Sequence, residues 1–229
     1  MRRIVPILAV LSMLAPFAAH AFSVAPAIID LSGARGSVAT TSVTITNTDA
    51  REKAYYLQAV KFEPREDSDA PRFVPYETDH SGLPEWLAFE KKVRVLASGS
   101  LKVPVAVAVP ADALPGAHYA AITVSDAPYD VVSSRGAPVQ ARVAVLLFLT
   151  VEGGSAKLAL MDFLPDAPKN LRTDASAAFR LRVQNQGDVV VAPQGTVELV
   201  DLFGRTVATA PVNAQGLRVI PGRTRAFTG

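Results

Sequence analysis

A chain of 229 residues without a single cysteine, carrying 23 basic against 21 acidic residues, must hold itself together by core burial. Disulfide frameworks and thiolate metal sites are excluded. Arg2 and Arg3 account for the whole excess of positive charge, and no basic patch with interleaved aromatics follows that would neutralise phosphates, so nucleic acid is excluded as a partner.

The N-terminus comes first. Arg2-Arg3, the apolar run Ile4 to Phe17 and the small-residue site Ala19-His20-Ala21 have the three-part form of a secretory signal, which predicts cleavage before Phe22. The run is shorter than the roughly 20 residues that span a bilayer. About 208 residues remain after cleavage, room for two β-sandwiches of roughly 100 residues each. Exported all-β domains without cysteine point to a bacterial envelope, either periplasm or cell surface.

Phe22 to Leu31 and Val38 to Thr46 alternate with the period of half-buried strands, Thr41, Val43 and Ile45 sharing one face. Asn47-Thr48-Asp49-Ala50 marks a turn, and Ala54 to Phe62 resumes as an aromatic-rich strand. From Glu63 to Leu83 the alternation gives way to a proline- and charge-rich insertion, long enough to be functional or mobile. Trp86, the only tryptophan, is expected to plug the core beside it. Leu101 to Val109, Tyr119 to Val124 and Val139 to Val151 read as the last three strands, with Asp126 to Ala137 as a loop. Between the first two of these, Leu114-Pro115-Gly116-Ala117-His118-Tyr119 has the order of an immunoglobulin-like corner, predicting that the Tyr119 hydroxyl bonds back to upstream backbone. His118 should then face solvent.

Gly153-Gly154-Ser155 reads as a flexible hinge, which divides the mature chain into a sandwich over 22–152 and a second over 153–229. The second has Phe179 to Val183, the turn Asn185-Gln186-Gly187-Asp188, and a hairpin of Thr196 to Leu202 and Thr206 to Val212 about Phe203-Gly204-Arg205. Five or six short strands can be drawn where a sandwich wants about seven. The expected fold class is therefore all-β, two tandem immunoglobulin-like or fibronectin III-like sandwiches, the second incomplete. A C-terminal segment absent here would carry further strands and an anchoring helix.

Chemistry is sparse. Only His80 and His118 follow the signal, no Gly-x-Ser-x-Gly elbow exists, and Asp79-His80-Ser81 are neighbours whose side chains point apart. Glu63, Glu66, Asp67 and Asp69 match no calcium loop. No enzyme, no metal and no cofactor is expected. Tyr55, Tyr56 and Tyr76 could stack on sugar C–H faces, although packing is the default for strand tyrosines. The residues nominated for binding are Arg72 and Tyr76 in the insertion, Arg142 on the last strand of the first sandwich, and Asn185 and Arg205 at turns of the second.

These motifs carry two family resemblances. Phe22-Ser23-Val24-Ala25-Pro26, Val43-Thr44-Ile45-Thr46-Asn47, Trp86-Leu87, the Val109 to Ile122 corner, Val183 to Val189, Pro193-Gln194-Gly195-Thr196-Val197 and Ile220 to Phe227 resemble the WxL-interacting proteins, with tandem immunoglobulin-like domains. That resemblance implies a peptidoglycan-associated first domain, a second that meets partner proteins, and a C-terminal membrane anchor; this chain ends before any such helix. The opening strand, the Val-x-Ile-x-Asn pattern and the long alternating strand from Val139 also resemble periplasmic pilus-assembly chaperones. There the implied role is strand addition to an incomplete fimbrial subunit through Val139, Ala141, Val143, Val145, Leu147 and Leu149, with Arg142 as one of a basic pair gripping a terminal carboxylate. The favoured expectation for this strand is that it simply completes its own domain. The expectation is a non-catalytic envelope binding protein whose partner is cell-wall polymer or a surface protein, the chaperone-like strand donor being the second reading.

Overall fold

The structure, a computed structural model, describes residues 22–63, 71–129, 141–166 and 178–229. The expected signal (1–21) lies outside them, as do the acidic residues 66–69, most of the 126–137 loop, and Val139.

The chain opens with β1 (Phe22–Ala25) and β2 (Ile28–Gly33), then β3 (Val38–Asn47) and β4 (Lys53–Val60). A short hairpin of β5 (Phe62–Glu63) and β6 (Arg72–Phe73) leads to one helical turn, α1 (Leu83–Trp86), and to β7 (Leu87–Ala88) and β8 (Lys92–Val95). The long strands β9 (Ser100–Ala108), β10 (Gly116–Ser125) and β11 (Arg142–Val151) follow. They form two sheets, a four-stranded one in the order β1-β3-β9-β7 and a five-stranded one in the order β2-β11-β10-β4-β8.

Phe22 to Leu31, expected as one strand, is two. Pro26 has no N–H to give a ladder, so β1 ends before it in one sheet and β2 begins after it in the other. β2 then lies parallel to β11, from Ile28 opposite Leu146 to Gly33 opposite Val151. β8 was not foreseen, although Val93 and Val95 alternate into the core against exposed Lys92 and Arg94.

Alternation delivers the core. Val43 and Ile45 from β3, Tyr55 and Leu57 from β4, Val103, Val105 and Val107 from β9, Ile122 and Val124 from β10, and Val145, Leu147 and Leu149 from β11 pack between the sheets. Leu83 of α1 fills the core margin; Trp86, expected as the plug, is only half-buried there and tilts against His118 at a centroid distance of 4.6 Å. His118 is thus partly covered rather than fully solvent-facing. It is His118 Nε2, not the Tyr119 hydroxyl, that meets upstream backbone at the corner, 2.8 Å from the Leu114 carbonyl oxygen. The Tyr119 ring packs instead on Phe62.

Beyond β11 come β12 (Leu158–Asp166), β13 (Ala178–Asn185), β14 (Gly195–Val200), β15 (Thr206–Val212) and β16 (Thr224–Thr228). They make a three-stranded sheet, β12-β13-β16, and the β14-β15 hairpin. Phe179, Leu181, Val183, Val219 and Phe227 form the apolar core cluster of this half, with Val197, Ala210 and Val212 of the hairpin against them. The immunoglobulin-type, all-β class expected from the sequence is the class observed.

One device recurs at the end of a strand in each half. Asn47, 1% exposed, donates through Nδ2 to the carbonyls of Arg51 (2.8 Å), Val95 (3.2 Å) and Leu96 (3.0 Å), and accepts from the Asp49 amide (3.0 Å) and the Tyr55 hydroxyl (3.0 Å). Asn185, 0% exposed, donates to Val189 (2.7 Å) and Val219 (2.9 Å) and accepts from the Gly187 amide (3.0 Å). In both, one amide satisfies the main chain two and four residues on and a carbonyl of a distant segment. Truncating it strands buried polar groups, at about 1–3 kcal/mol each. Asn47→Ala should cost about 2–3 kcal/mol, read as a lower urea midpoint at unchanged slope; a midpoint equal to wild type would refute the role.

Candidate functional site

Among the described residues, the N-terminal end of β11 is paired on one side only. β10 pairs with the whole strand, from Ser125 opposite Arg142 to Gly116 opposite Val151. β2 does not: its ladder starts at Leu146, whose amide donates to the Ala27 carbonyl (2.9 Å). Amides alternate sides along a strand, so the Ala144 N–H faces the same way as that of Leu146, past the end of β2. Among the described residues, Val143 to Val145 therefore form a sheet edge of the kind to which another strand can add.

The side chains decide which groups such an edge offers. Val145, Leu147 and Leu149 are fully buried in their own sandwich and belong to it, as the simpler reading of this strand has it. Val143 and Ala144 are half-buried, and Arg142 is exposed with its guanidinium 4.9 Å from the centre of the Tyr129 ring. The Tyr129 hydroxyl donates to the Thr123 carbonyl (2.8 Å), and burial pushes it above the ordinary tyrosine range.

Above this edge runs the described part of the insertion. Tyr76 stacks on His80 (centroids 4.5 Å apart, planes 19° apart), and His80 Nδ1 lies 3.0 Å from the Tyr76 carbonyl oxygen, with Nε2 3.8 Å from Glu85. Asp79 is held by Lys61 Nζ (2.6 Å) and by both the amide and the hydroxyl of Ser81 (2.9 and 2.7 Å). His80 thus faces Tyr76 and Glu85 while Asp79 and Ser81 bond to each other and to Lys61, an arrangement without a proton relay. Among the described residues no three His, Asp or Glu side chains converge as a metal site, and no helix is long and apolar enough to cross a membrane.

The nominated residues do not form one site. Arg72 is exposed but paired with Glu63, Nε 3.1 Å from Oε2. Tyr76 and Arg142 line the same cavity on the outer face of the five-stranded sheet. Asn185, proposed as an exposed turn residue, is completely buried and is a structural lock. Arg205 is exposed at the β14-β15 turn, bonded to Asp201 (2.9 Å) and over the Phe203 ring. Composition could not have located Ala144, Tyr129 or Phe73, because only tertiary packing brings them beside Tyr76.

The two halves are joined at the lower end of that same outer face. Phe148, Ala121, Val60 and Phe62 form a second apolar cluster with Ile220, and Val190 and Tyr119 pack against it. Arg218 spans the joint: its Nη2 donates to Asp30 Oδ2 (2.7 Å), its Nη1 to Oδ1, and its guanidinium lies 4.8 Å from the Phe148 ring centre. At the expected hinge, Gly154 is closely packed while Gly153 and Ser155 are exposed. A Cβ at Gly154 would lie 2.7 Å from Val189 Cγ1 and 2.8 Å from Gly116 Cα, and the Ser155 amide donates to the Asp188 carboxylate. Gly116 (φ 106°) abuts the Asp188 carbonyl, and the Ala117 amide bonds to it (2.6 Å).

No family model and no curated protein matches the chain. Among solved structures it is similar to a chain of a chaperone–tip adhesin complex of CFA/I fimbriae biogenesis, at 11% identity and a TM-score of 0.53, over 90% of this chain and 84% of that one. It is also similar to the class 5 fimbriae chaperone CfaA, at 12% identity and a TM-score of 0.53, over 89% and 84%. At these identities the likeness is one of fold. It lies with the pilus-chaperone resemblance, and nothing in the comparisons supports the WxL-interacting one.

Two measurements test the geometry. The Lys61 ammonium, with the Ser81 donors behind it, holds the Asp79 carboxyl well below the usual carboxylate range. A depressed carboxylate contributes its tether above the unfolded pKa, about 4, and loses it as the pH falls through the folded value. Protease sensitivity of the 71–82 segment should therefore stay low from neutral pH to about 4 and rise only in stronger acid, whereas Asp79→Asn should raise it at neutral pH. For the joint, an Asp30→Ala, Arg218→Ala double-mutant cycle should return a coupling of about 1 kcal/mol, given partial exposure. Arg218→Lys should recover only part of it, since an ammonium cannot grip both oxygens as a guanidinium does.

Proposed function

We propose that this chain is a non-catalytic, periplasmic chaperone-type protein that captures an incomplete immunoglobulin-like subunit by strand addition. The observation that carries this reading is the partly paired β11: among the described residues Val143 to Val145 offer a strand edge on the long strand of a fold like that of fimbrial chaperones. The second solved neighbour is a fimbriae chaperone, and the first comes from a complex of a chaperone with a tip adhesin.

Strand addition draws its affinity from main-chain hydrogen bonds and its selectivity from pockets for alternate side chains. That division suits this edge. Its inward side chains are committed to the sandwich, so what it gives a partner is backbone, here the Ala144 amide and its neighbours, while Val143, Ala144 and Arg142 form the contact surface. The secretory form of Met1 to Ala21 supports export, and the absence of cysteine suits a protein whose stability owes nothing to disulfides. Within this reading Arg142 stands where a partner's carboxylate would be met, a role that the chaperone resemblance implies. The division into a 22–152 sandwich and a 153–229 unit is part of the same proposal, the two acting as one body across the packed joint. A cell-wall ligand finds less support, since Arg72, nominated for it, is already paired with Glu63.

The test is co-elution with a fimbrial-type subunit whose own terminal strand has been deleted. Ala144→Pro removes the edge amide without touching the core, so it should abolish co-elution while shifting the melting temperature little. Lys102→Glu, exposed on the other sheet, should leave co-elution unchanged. Equal binding to a subunit that retains its terminal strand would sink the proposal.

A further inference from the structure

Two cavities open on the outer face of the five-stranded sheet. One, of about 310 Å³, reaches the open edge itself and is lined by Val143, Ala144 and Arg142 with Val60, Phe73 and Tyr76. The other, of about 780 Å³, extends from Tyr56 toward Phe89 and Glu85. Gln58, Tyr76, Glu77 and Tyr129 line both, so the two make one groove that starts at the β11 edge and runs across the sheet.

The electrostatics of its rings narrow what can occupy it. Each of three tyrosines already has a nitrogenous side chain on one face: Lys92 Nζ is 5.4 Å from the Tyr56 centre, His80 stacks on Tyr76, and Arg142 lies over Tyr129. A cation on a ring attracts the negative π face, and a second cation brought to the opposite face is repelled by the first. The Tyr129 hydroxyl is spent on the Thr123 carbonyl and asks for no polar partner. The smaller cavity's lining holds one carboxylate, Glu77, and one guanidinium, Arg142, whose charges offset, so its walls of Val60, Phe73, Val74 and Pro75 favour a neutral, carbon-rich group.

We propose that the smaller cavity is a side-chain pocket for the incoming strand, taking one large neutral side chain, aromatic or long aliphatic, from the partner segment that adds to β11. The proposal rests on the strand-addition reading and goes further by giving that edge a sequence preference. Its basis is continuity, because Val143 and Ala144 carry the edge and line the pocket alike. A strand hydrogen-bonded to Ala144 has its neighbouring side chain about 5 Å away, at the pocket mouth.

The probe is a short fluorescein-labelled peptide of alternating valine and threonine, compared with versions in which each valine in turn is replaced by phenylalanine or by lysine. Fluorescence anisotropy with the full chain should show one phenylalanine position binding about tenfold tighter than the parent peptide, the scale expected when a large side chain leaves water. Lysine at that position should give no gain. Gln58→Trp fills the groove and Phe73→Ala removes an exposed wall; in each the phenylalanine-to-parent ratio should fall to about one. If the parent peptide does not bind, strand addition falls and the pocket with it. If the parent binds but no phenylalanine position gains, if lysine gains instead, or if the ratio survives both variants, the pocket is refuted while the edge stands.

Discussion

β11 is buried on both faces, and most of the molecule follows from that. Towards the sandwich, Val145, Leu147 and Leu149 meet the valine-rich faces of β3 and β9; on the other side Leu146 and Phe148 join the cluster that receives Ile220 from the second half. A strand committed in both directions cannot withdraw from its sheet or hand core side chains to another protein. It can offer only its edge, and only where β2 leaves that edge open. The open amide at Ala144 among the described residues, the groove beside it, and the packing of the second half are three consequences of the one doubly buried strand.

The second half is held against that strand by small contacts of different kinds. Asp188 supplies a carbonyl to the Ala117 amide and a carboxylate to the Ser155 amide, Gly116 and Gly154 permit the close approach, and Arg218 closes the far side on Asp30 and Phe148. Each is modest alone because the joint is partly solvated. Together they orient the second half relative to the β11 edge, so that a partner meeting both halves would find them already arranged. Asn47 and Asn185 play the same part on a local scale: each pins the end of a strand before a turn, using one side-chain amide to satisfy carbonyls the turn would otherwise leave without partners.

Strands were legible wherever alternation was strict. Val38 to Thr46 and Thr206 to Val212 are observed within a residue of their expected bounds, and the apolar run of β11 reads as a buried strand because burial on both faces removes the polar alternate residues. Phe22 to Leu31 alternates too, yet changes sheet at Pro26, since a period of two says nothing of which neighbour a strand pairs with. Lys92 to Val95 carried a readable alternation that its charges obscured. At the corner, Pro-Gly-x-His-Tyr marked the turn, but the choice of His118 over Tyr119 for the backbone contact depended on Trp86, which lies far away in sequence. Asn185 misled for a related reason: asparagine at a turn looks solvent-facing in sequence, and only the carbonyl of Val219, 34 residues on, explains its burial.

By itself the sequence determined the class of fold and the freedom from disulfides. These are consequences of local period and composition, which a chain carries whatever it packs against. Only the tertiary structure decided where a partner could be met. That the β2 ladder begins only at Leu146, that Tyr76 and Tyr129 stand at one groove, and that Arg218 reaches Asp30 are facts of pairing between segments as much as 188 residues apart. Such pairings are chosen by the global packing of two sheets, for which no local pattern is a proxy.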